Sequence, residues 1–174
     1  FLSDYNLADI FVYTADGDGT YTYNRTIAGI GNVNDFNPLT RLDGNLWVAS
    51  SVNDTITEYT LAGTTTGRFV DLSGVTVRNS SLTVAYGLTS DETHLYFKPS
   101  SNIIVEIHPD TGVTGKLIEQ DYTAANNTRD IILKDETFYC VDSQNANIYG
   151  VANAPYVGSK SQFHSDNNDF TRIK

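Results

Sequence analysis

Histidine and cysteine are common catalytic residues, and this sequence has three histidines and one cysteine. His94, His108 and His164 are separated along the chain, and His108 opens the turn-like segment HPDTG. Cys140 lies in the apolar run TFYCVD with no histidine near it in sequence, which predicts a buried, unreactive thiol. The sequence contains no nucleophile elbow, metalloprotease helix, phosphate-binding glycine loop or paired-cysteine zinc motif. We therefore predict no catalytic and no metal-ligating residues.

One short segment has the composition of a calcium-binding turn. Residues 16–19 read DGDG, which supplies carboxylate oxygens and the glycines of a tight loop. An EF-hand loop also needs a glutamate at its last position, and this segment has none there. Asp-Gly is equally expected in a hairpin turn. We predict no cofactor. The alternative is a calcium ion, bound either at this turn or in the axis of a ring.

The charge of the chain limits its partners. The 174 residues carry a formal net charge of -10, so nucleic-acid phosphates and anionic lipids would be repelled. No stretch approaches the roughly 20 consecutive apolar residues of a membrane helix. The predicted partners are proteins or glycans, without nucleic acid and without membrane insertion. A homo-oligomer or a larger assembly is left open.

Short strand-like pieces recur along the chain at nearly even intervals. Residues 38–74 divide into PLTRL, NLWVAS, TITEYTL and GRFVDL, with turn-forming residues between them. Similar sets begin near residues 85 and 129, and equivalent isoleucines of the third strand stand at Ile10, Ile56, Ile104 and Ile148. Four strands per unit and a period in the forties are typical of β-propeller blades. Three aromatic residues at equivalent second-strand positions are predicted to pack between blades: Trp47, Tyr96 and Tyr139.

The repeats predict an all-β fold, a β-propeller of about four four-stranded blades in one domain, residues 1–174. The repeats span approximately 1–37, 38–84, 85–128 and 129–169, and residues 170–174 are predicted to complete the first blade. FTRIK at the C-terminal end matches PLTRL, which favours a ring closed by pairing of the two termini. Closure of this kind removes exposed sheet edges. The alternative is that the chain forms part of a larger propeller.

A family resemblance rests on the runs IFVYTADGDGTYTYNRTIAG and PLTRLDGNLWVASSVNDTITEYTL, which resemble the NHL and YVTN type of propeller repeat. The resemblance extends over essentially the whole chain and is best in the first 75 residues. In the later repeats, Asp43-Gly44 is replaced by Asp91-Glu92 and Asp135-Glu136. The resemblance implies a propeller that binds proteins, glycans or nucleic acids, or a calcium-dependent lactonase or lyase as in some six-bladed relatives. The matching motifs are structural, so they transfer no catalytic residue.

The connections between strands differ in length at the two ends of the predicted sheets. With strands A, B, C and D in each blade, the B-to-C and D-to-A connections share one end and are long, whereas the turns at the other end are tight. Binding residues often lie on long loops of a rigid scaffold, although Asn and Asp also satisfy turn backbones. We call the first end the long-connection end. The predicted ligand-binding residues there are Asn34, Asp35, Asn37, Tyr122, Asn126, Asn127, Asp142, Asn145, Asn167, Asn168 and Asp169.

These features predict a non-enzymatic binding module that is extracellular or exposed on a particle surface. It would recognise a glycan or a protein through the long-connection end, because Asn, Asp and Tyr suit sugar hydroxyls and polar protein surfaces. Four Asn-x-Ser/Thr triplets agree with a secreted protein and are candidate glycosylation sites, at Asn24, Asn53, Asn79 and Asn126. Two alternatives stay open: a calcium-dependent hydrolase or lyase of the propeller type, and a structural component of a larger assembly such as a surface appendage or virion spike.

Overall fold

The computed structural model describes residues 1–4, 6–30, 35, 37–77, 80–83, 85–100, 103–119, 128–142, 148–152 and 172–173. Regular structure in these residues is entirely β, with 17 strands and no helix. The predicted all-β fold is therefore confirmed at this level. None of the described segments forms a helix long and apolar enough to cross a membrane.

Four sheets contain most of the strands, and we number them I to IV in chain order. Sheet I has the order β1 (Leu2–Ser3), β2 (Ile10–Ala15) and β3 (Tyr21–Ile27). Sheet II has the order β4 (Leu39–Leu42), β5 (Asn45–Ser50), β6 (Thr55–Tyr59) and β7 (Thr65–Asp71). A two-stranded ribbon follows, formed by β8 (Thr76–Val77) and β9 (Ser80–Ser81).

Sheets III and IV contain the remaining strands. Sheet III has the order β10 (Gly87–Ser90), β11 (Leu95–Lys98), β12 (Ile103–His108), β13 (Gly112–Glu119) and β17 (Arg172–Ile173). Sheet IV has the order β14 (Thr128–Lys134), β15 (Thr137–Asp142) and β16 (Ile148–Ala152). Every neighbouring pair in the four sheets is antiparallel except β13 and β17, which are parallel.

Tight turns connect the first two strands of sheets II and IV. Leu42 pairs with Asn45, and the two residues between them, Asp43 and Gly44, both have positive φ. Two residues with positive φ form the turn whose twist matches a β-hairpin. In sheet IV the equivalent residues are Asp135 and Glu136, with φ of 49° and 57°. The hairpin geometry is therefore kept where the sequence replaces Asp-Gly by Asp-Glu.

Apolar side chains pack consecutive sheets against one another. Ile10, Ile27 and Ile30 lie with Leu46 and Val48 of sheet II in one buried cluster. A second and larger cluster joins sheets II and III, and a third joins sheets III and IV, where the rings of Tyr96 and Phe138 meet edge to face with centroids 5.0 Å apart. Both faces of sheets II and III are thereby covered.

The first strands of sheets II, III and IV lie side by side. β10 contacts β4 on one side and β14 on the other. The approach of β10 to β14 is close, since a Cβ atom on Gly87 would stand 2.9 Å from the backbone nitrogen of Ile131. Glycine at this position allows the two backbones to come together.

The second-strand aromatic residues differ in burial. Trp47 and Tyr96 are buried, as predicted, whereas Tyr139 is 42% exposed. Phe138 and Cys140 occupy the face of β15 that packs on sheet III. Because neighbouring strand residues point to opposite faces, Tyr139 lies on the other face of sheet IV, and no described sheet covers that face.

The C-terminal strand does not pair as predicted. The sequence predicts that residues 170–174 complete the first blade, whereas Arg172 and Ile173 pair with Leu117 and Ile118 of β13. The outer edge of β13 offers backbone N–H and C=O groups to an added strand, which gives a physical reason for this pairing. Among the described strands β1 pairs with β2 alone, so no described strand covers its other edge.

Candidate functional site

A cavity of about 370 Å³ lies where the first strands of the sheets begin. Its walls come from β1 in sheet I and from the starts of β4, β10 and β14 in the other sheets. The lining residues are Phe1, Leu2, Ser3, Asp35, Asn37, Pro38, Leu39, Tyr86, Arg129 and Asp130. Asp35 and Asn37 belong to the predicted set, and both are buried in the connection that precedes β4. The cavity therefore lies at the long-connection end.

Arg129 and Tyr86 contact each other in the cavity wall. The guanidinium carbon of Arg129 lies 4.1 Å from the centre of the Tyr86 ring, a distance typical of a cation–π contact. Asp130 follows Arg129 and retains solvent contact, while the protein around its carboxyl raises the pKa through partial desolvation. A hydrogen bond of 2.8 Å from the Ile131 backbone N–H opposes this rise. An aromatic ring, a cation and a carboxyl group thus line one space.

Asp35 holds the connection between β5 and β6. Its carboxylate accepts hydrogen bonds from the Ser50 hydroxyl at 3.0 Å, the Ser51 backbone N–H at 2.9 Å, the Ser51 hydroxyl and the Val52 backbone N–H at 3.3 Å. Its backbone carbonyl accepts a further bond from the Asn37 side-chain amide at 3.0 Å. Four donors around one carboxylate make Asp35 an anchor of the cavity wall, as expected of an Asp that satisfies turn backbones.

The other predicted ligand-binding residues can be placed only in part. Asp142 is the last residue of β15, which ends at the long-connection end, and its side chain lies outside the described part. Eight positions lie outside the described residues, namely Asn34, Tyr122, Asn126, Asn127, Asn145, Asn167, Asn168 and Asp169.

Two of the four candidate glycosylation sites fall in the described part of the chain. Asn24 is an exposed residue of β3, and its side-chain amide donates a hydrogen bond of 3.1 Å to the Thr14 hydroxyl. Asn53 is exposed in the turn between β5 and β6. Asn79 and Asn126 lie outside the described residues. Asn24 and Asn53 are thus accessible positions for a glycan.

Sequence reasoning overlooked a buried glutamate on the third strand of sheet II. Glu58 pairs with Trp47 across the strands and is 1% exposed. Its carboxylate accepts hydrogen bonds from the Asn45 amide at 3.1 Å, the Thr66 hydroxyl at 2.5 Å and the Arg68 guanidinium at 3.0 Å. A buried carboxylate needs partners of this kind to offset its desolvation.

Sheet III repeats the arrangement around Glu106, which pairs with Tyr96. Its carboxylate accepts hydrogen bonds from the Thr114 hydroxyl at 2.8 Å, the Lys116 ammonium at 2.9 Å and the Tyr96 hydroxyl at 3.3 Å. In both sheets the Thr stands eight residues and the basic residue ten residues after the Glu. This spacing was the signal in the sequence that could have identified the two sites.

Basic residues in the last strands of sheets I and II also reach the next sheet. Arg68 donates a hydrogen bond of 2.6 Å to Asp110, in the turn between β12 and β13. Arg25 of β3 donates to the backbone carbonyl of Leu61, in the turn between β6 and β7. Each contact joins the last strand of one sheet to the last turn of its neighbour, so the polar contacts follow the same order as the apolar clusters.

The structure brings together two histidines that the sequence separates. The rings of His94 and His108 meet edge to face with centroids 5.5 Å apart. Nδ1 of His94 lies 2.7 Å from the Thr93 hydroxyl, and Nδ1 of His108 accepts a hydrogen bond of 3.2 Å from the Asp110 backbone N–H. Nε2 of His94 is 3.9 Å from a carboxylate oxygen of Glu106. The pair lies at the tight-turn end, away from the cavity.

The two carboxylates of the DGDG turn accept hydrogen bonds from residues that directly follow the turn. Asp18 accepts hydrogen bonds from the Thr20 backbone N–H at 2.9 Å and hydroxyl at 2.6 Å, and these bonds lower its pKa. Asp16 accepts bonds from the hydroxyls of Thr20 and Thr22. No group of three or more His, Cys, Asp or Glu side chains in the described segments is arranged to hold a metal ion.

Lys98 is an unusual buried cation at the end of β11. It has no exposed surface, and its ammonium donates a hydrogen bond of 3.0 Å to the Pro99 carbonyl. Burial lowers its pKa to about 8, the nearby Cys140 raises it, and the charge of Arg129 lowers it further. Cys140 is buried, in agreement with the sequence prediction. The charge of Arg129, a residue of the cavity wall, is thus near enough to lower the pKa of Lys98.

Comparison with known proteins concerns the fold. No family model and no curated protein matches the sequence. Glutaminyl cyclase from Myxococcus xanthus is similar in structure, with a TM-score of 0.55 and 12% identity, over 85% of this chain and 63% of that chain. The computationally designed Ika4 protein has a TM-score of 0.45 and 12% identity, over 82% of this chain and 84% of that chain. The chain thus spans less than two thirds of the cyclase, and the likeness to it extends to the fold alone.

Proposed function

We propose that sheets I to IV are blades of a propeller and that the protein is a non-enzymatic binding module. The close packing of β4, β10 and β14 supports the propeller, because first strands of blades converge on the axis. The ring would be that of this chain or part of a larger one. The proposed ligand is a glycan or a protein, bound at the long-connection end.

The observation that carries this proposal is the cavity and its mixed lining. Tyr86 offers an aromatic ring, Arg129 a cation and Asp130 a carboxyl group in one space of about 370 Å³. Ligand sites are commonly concave, with a few polar groups that set orientation. Tyr86 and Arg129 suit sugar rings and peptides alike, because both ligands combine apolar surface with hydrogen-bonding groups.

An extracellular or particle-surface location is part of the proposal. The accessible Asn-x-Ser/Thr sites at Asn24 and Asn53 support it, since such sites are glycosylated in the secretory route. The net charge of -10 favours ligands that are neutral or basic.

Array binding tests the proposed function. Fluorescently labelled protein is applied to glycan and peptide arrays, and the affinity of each hit is measured in solution. We expect Tyr86→Ala and Arg129→Ala to weaken binding at least roughly tenfold, as the loss of an aromatic or arginine anchor at the centre of an interface does. Phe69→Ala is the matched control, because Phe69 is exposed on β7 and does not line the cavity. A hit that both cavity variants bind as well as the parent would contradict the proposal.

A further inference from the structure

Among the described strands, sheet I has no counterpart of the strand that begins each of the other three sheets. β2 corresponds to β6 through Ile10 and Ile56, and Arg25 on β3 corresponds to Arg68 on β7. β1 therefore takes the place of β5, and the place of β4 has no counterpart among the described strands. The cavity lies beside β1 at this place, since Phe1, Leu2 and Ser3 form one of its walls.

The backbone of Ser3 faces the cavity side of β1. The Asp4 backbone N–H donates to the Asp9 carbonyl at 2.8 Å, which makes Asp4 a hydrogen-bonded partner of the chain that leads into β2. Ser3 pairs with Ile10. Successive residues of an antiparallel strand direct their N–H and C=O groups to opposite sides, so those of Ser3 point away from β2. An open edge with such groups is a template for an added strand.

The walls around this edge indicate the side chains that an added strand would carry. Phe1, Leu2, Pro38 and Leu39 offer apolar surface, and the side chains of Arg129 and Asp130 stand at the same cavity, where the Asp130 carboxyl can pair with a basic residue. The net charge of -10 favours a cationic partner. β4 itself shows a sequence that serves as a first strand in this fold, Leu-Thr-Arg-Leu after Pro38, apolar with one arginine.

We propose that the cavity accepts an extended segment of a partner polypeptide, apolar with a basic residue, that adds to β1 as the missing first strand. This inference rests on the proposed function, and it selects a protein ligand over a glycan, because a strand matches the open N–H and C=O groups of Ser3. Main-chain hydrogen bonds supply affinity, and the cavity walls select the side chains.

The test uses the full chain and a labelled peptide with the sequence of residues 38–42, Pro-Leu-Thr-Arg-Leu, with one residue added at each end. Fluorescence anisotropy measures its binding. We expect saturable binding that falls at least roughly tenfold in Ser3→Pro, which removes the cavity-facing N–H, and stays within about twofold in Ser3→Ala, which keeps it. The same peptide with N-methylated backbone amides keeps its side chains and is expected not to bind.

Several results would overturn the proposal. These are no saturable binding of the peptide, equal binding of the N-methylated peptide, or equal affinity for Ser3→Pro and Ser3→Ala. Binding only after removal of residues 170–174 would also overturn it, because the site would then belong to the chain's own C-terminal segment. An array ligand that still depends on Tyr86 and Arg129 would leave the binding function standing when strand addition fails. If strand addition fails and no array ligand depends on Tyr86 and Arg129, the proposed binding function is wrong as well.

Discussion

Because Lys98 is buried, the free energy of unfolding is expected to depend on pH. Its ammonium is fully buried, and burial lowers its pKa to about 8, while an unfolded chain keeps 10.5. Below pH 8 the folded protein carries the whole cost of the buried charge. As the pH rises from 8 to 10.5, the folded state releases this proton before the unfolded state does, so stability rises across that window.

Lys98→Met is therefore expected to be more stable than the parent protein at pH 7, by at most about 3 kcal/mol. The difference should shrink between pH 8 and 10, because the parent protein then loses the buried charge. Urea unfolding at a series of pH values measures both proteins. Lys134→Met, which removes an exposed ammonium group, controls for the general effect of lost charge. A difference that stays constant from pH 7 to 10 would show that the buried ammonium is not the cause.

The two glutamates show how buried charge is otherwise tolerated. Glu58 and Glu106 are as inaccessible as Lys98, but each has a hydroxyl and a basic side chain within hydrogen-bond distance. Arg68 also forms a salt bridge with Asp110. Both side chains of this pair are largely exposed, so the salt bridge contributes little stability in water. These groups explain local packing and carry no proposed chemistry.

At the scale of strands, the close approach of β10 and β14 is the feature most sensitive to change. Gly87→Ala would place a Cβ atom 2.9 Å from the Ile131 backbone nitrogen and 3.1 Å from its Cγ1 atom. We expect it to destabilise the protein by about 1–3 kcal/mol, because backbone atoms must shift. Gly150→Ala is the matched control in sheet IV, where the new atom would meet Thr137 Cγ2 at 3.5 Å, an ordinary contact. Equal urea midpoints for the two variants would contradict the close packing of the first strands.

The sequence predicts strands better than it predicts their partners. Alternating apolar residues and turn signals are local, so the strands of sheets II and III follow from patterns such as NLWVAS and IIVEI. The pairing of β17 with β13 depends on which sheet edge is open, and the exposure of Tyr139 depends on what covers sheet IV. Both are properties of the assembled fold. The same limit applies to His94 and His108, which meet only because β11 and β12 are paired.

The sequence indicated the part of the fold where the cavity lies better than it indicated which side chains line the cavity. A cavity opens at the long-connection end, and Asp35 and Asn37 of the predicted set line it, but ligand binding there stays a prediction. Loop composition did not distinguish Asp35, whose carboxylate is bound by the connection between β5 and β6, from a residue that faces a ligand. Arg129 and Tyr86 were missed because they belong to strand ends, where a single sequence shows them only as ordinary strand residues.

At the scale of the molecule, each sheet packs on the next, and the outer faces of sheets I and IV are the two that no described sheet covers. The cavity lies where β1 of sheet I and β14 of sheet IV come near each other. The proposed binding site would thus lie between the first and the last of the described sheets. Ligand binding there would hold sheets I and IV together, so it is expected to stabilise the whole fold.

Hydrogen–deuterium exchange on the full chain, with and without the tightest-binding array ligand, tests the position of the site most directly. We predict slower exchange at residues 1–3, 37–39, 86 and 128–130, which surround the cavity, and unchanged exchange at the tight turns 42–45, 91–94 and 134–137. Slower exchange at those turns, together with unchanged exchange around the cavity, would place the binding surface at the opposite end of the sheets. That result would contradict the proposed position of the site.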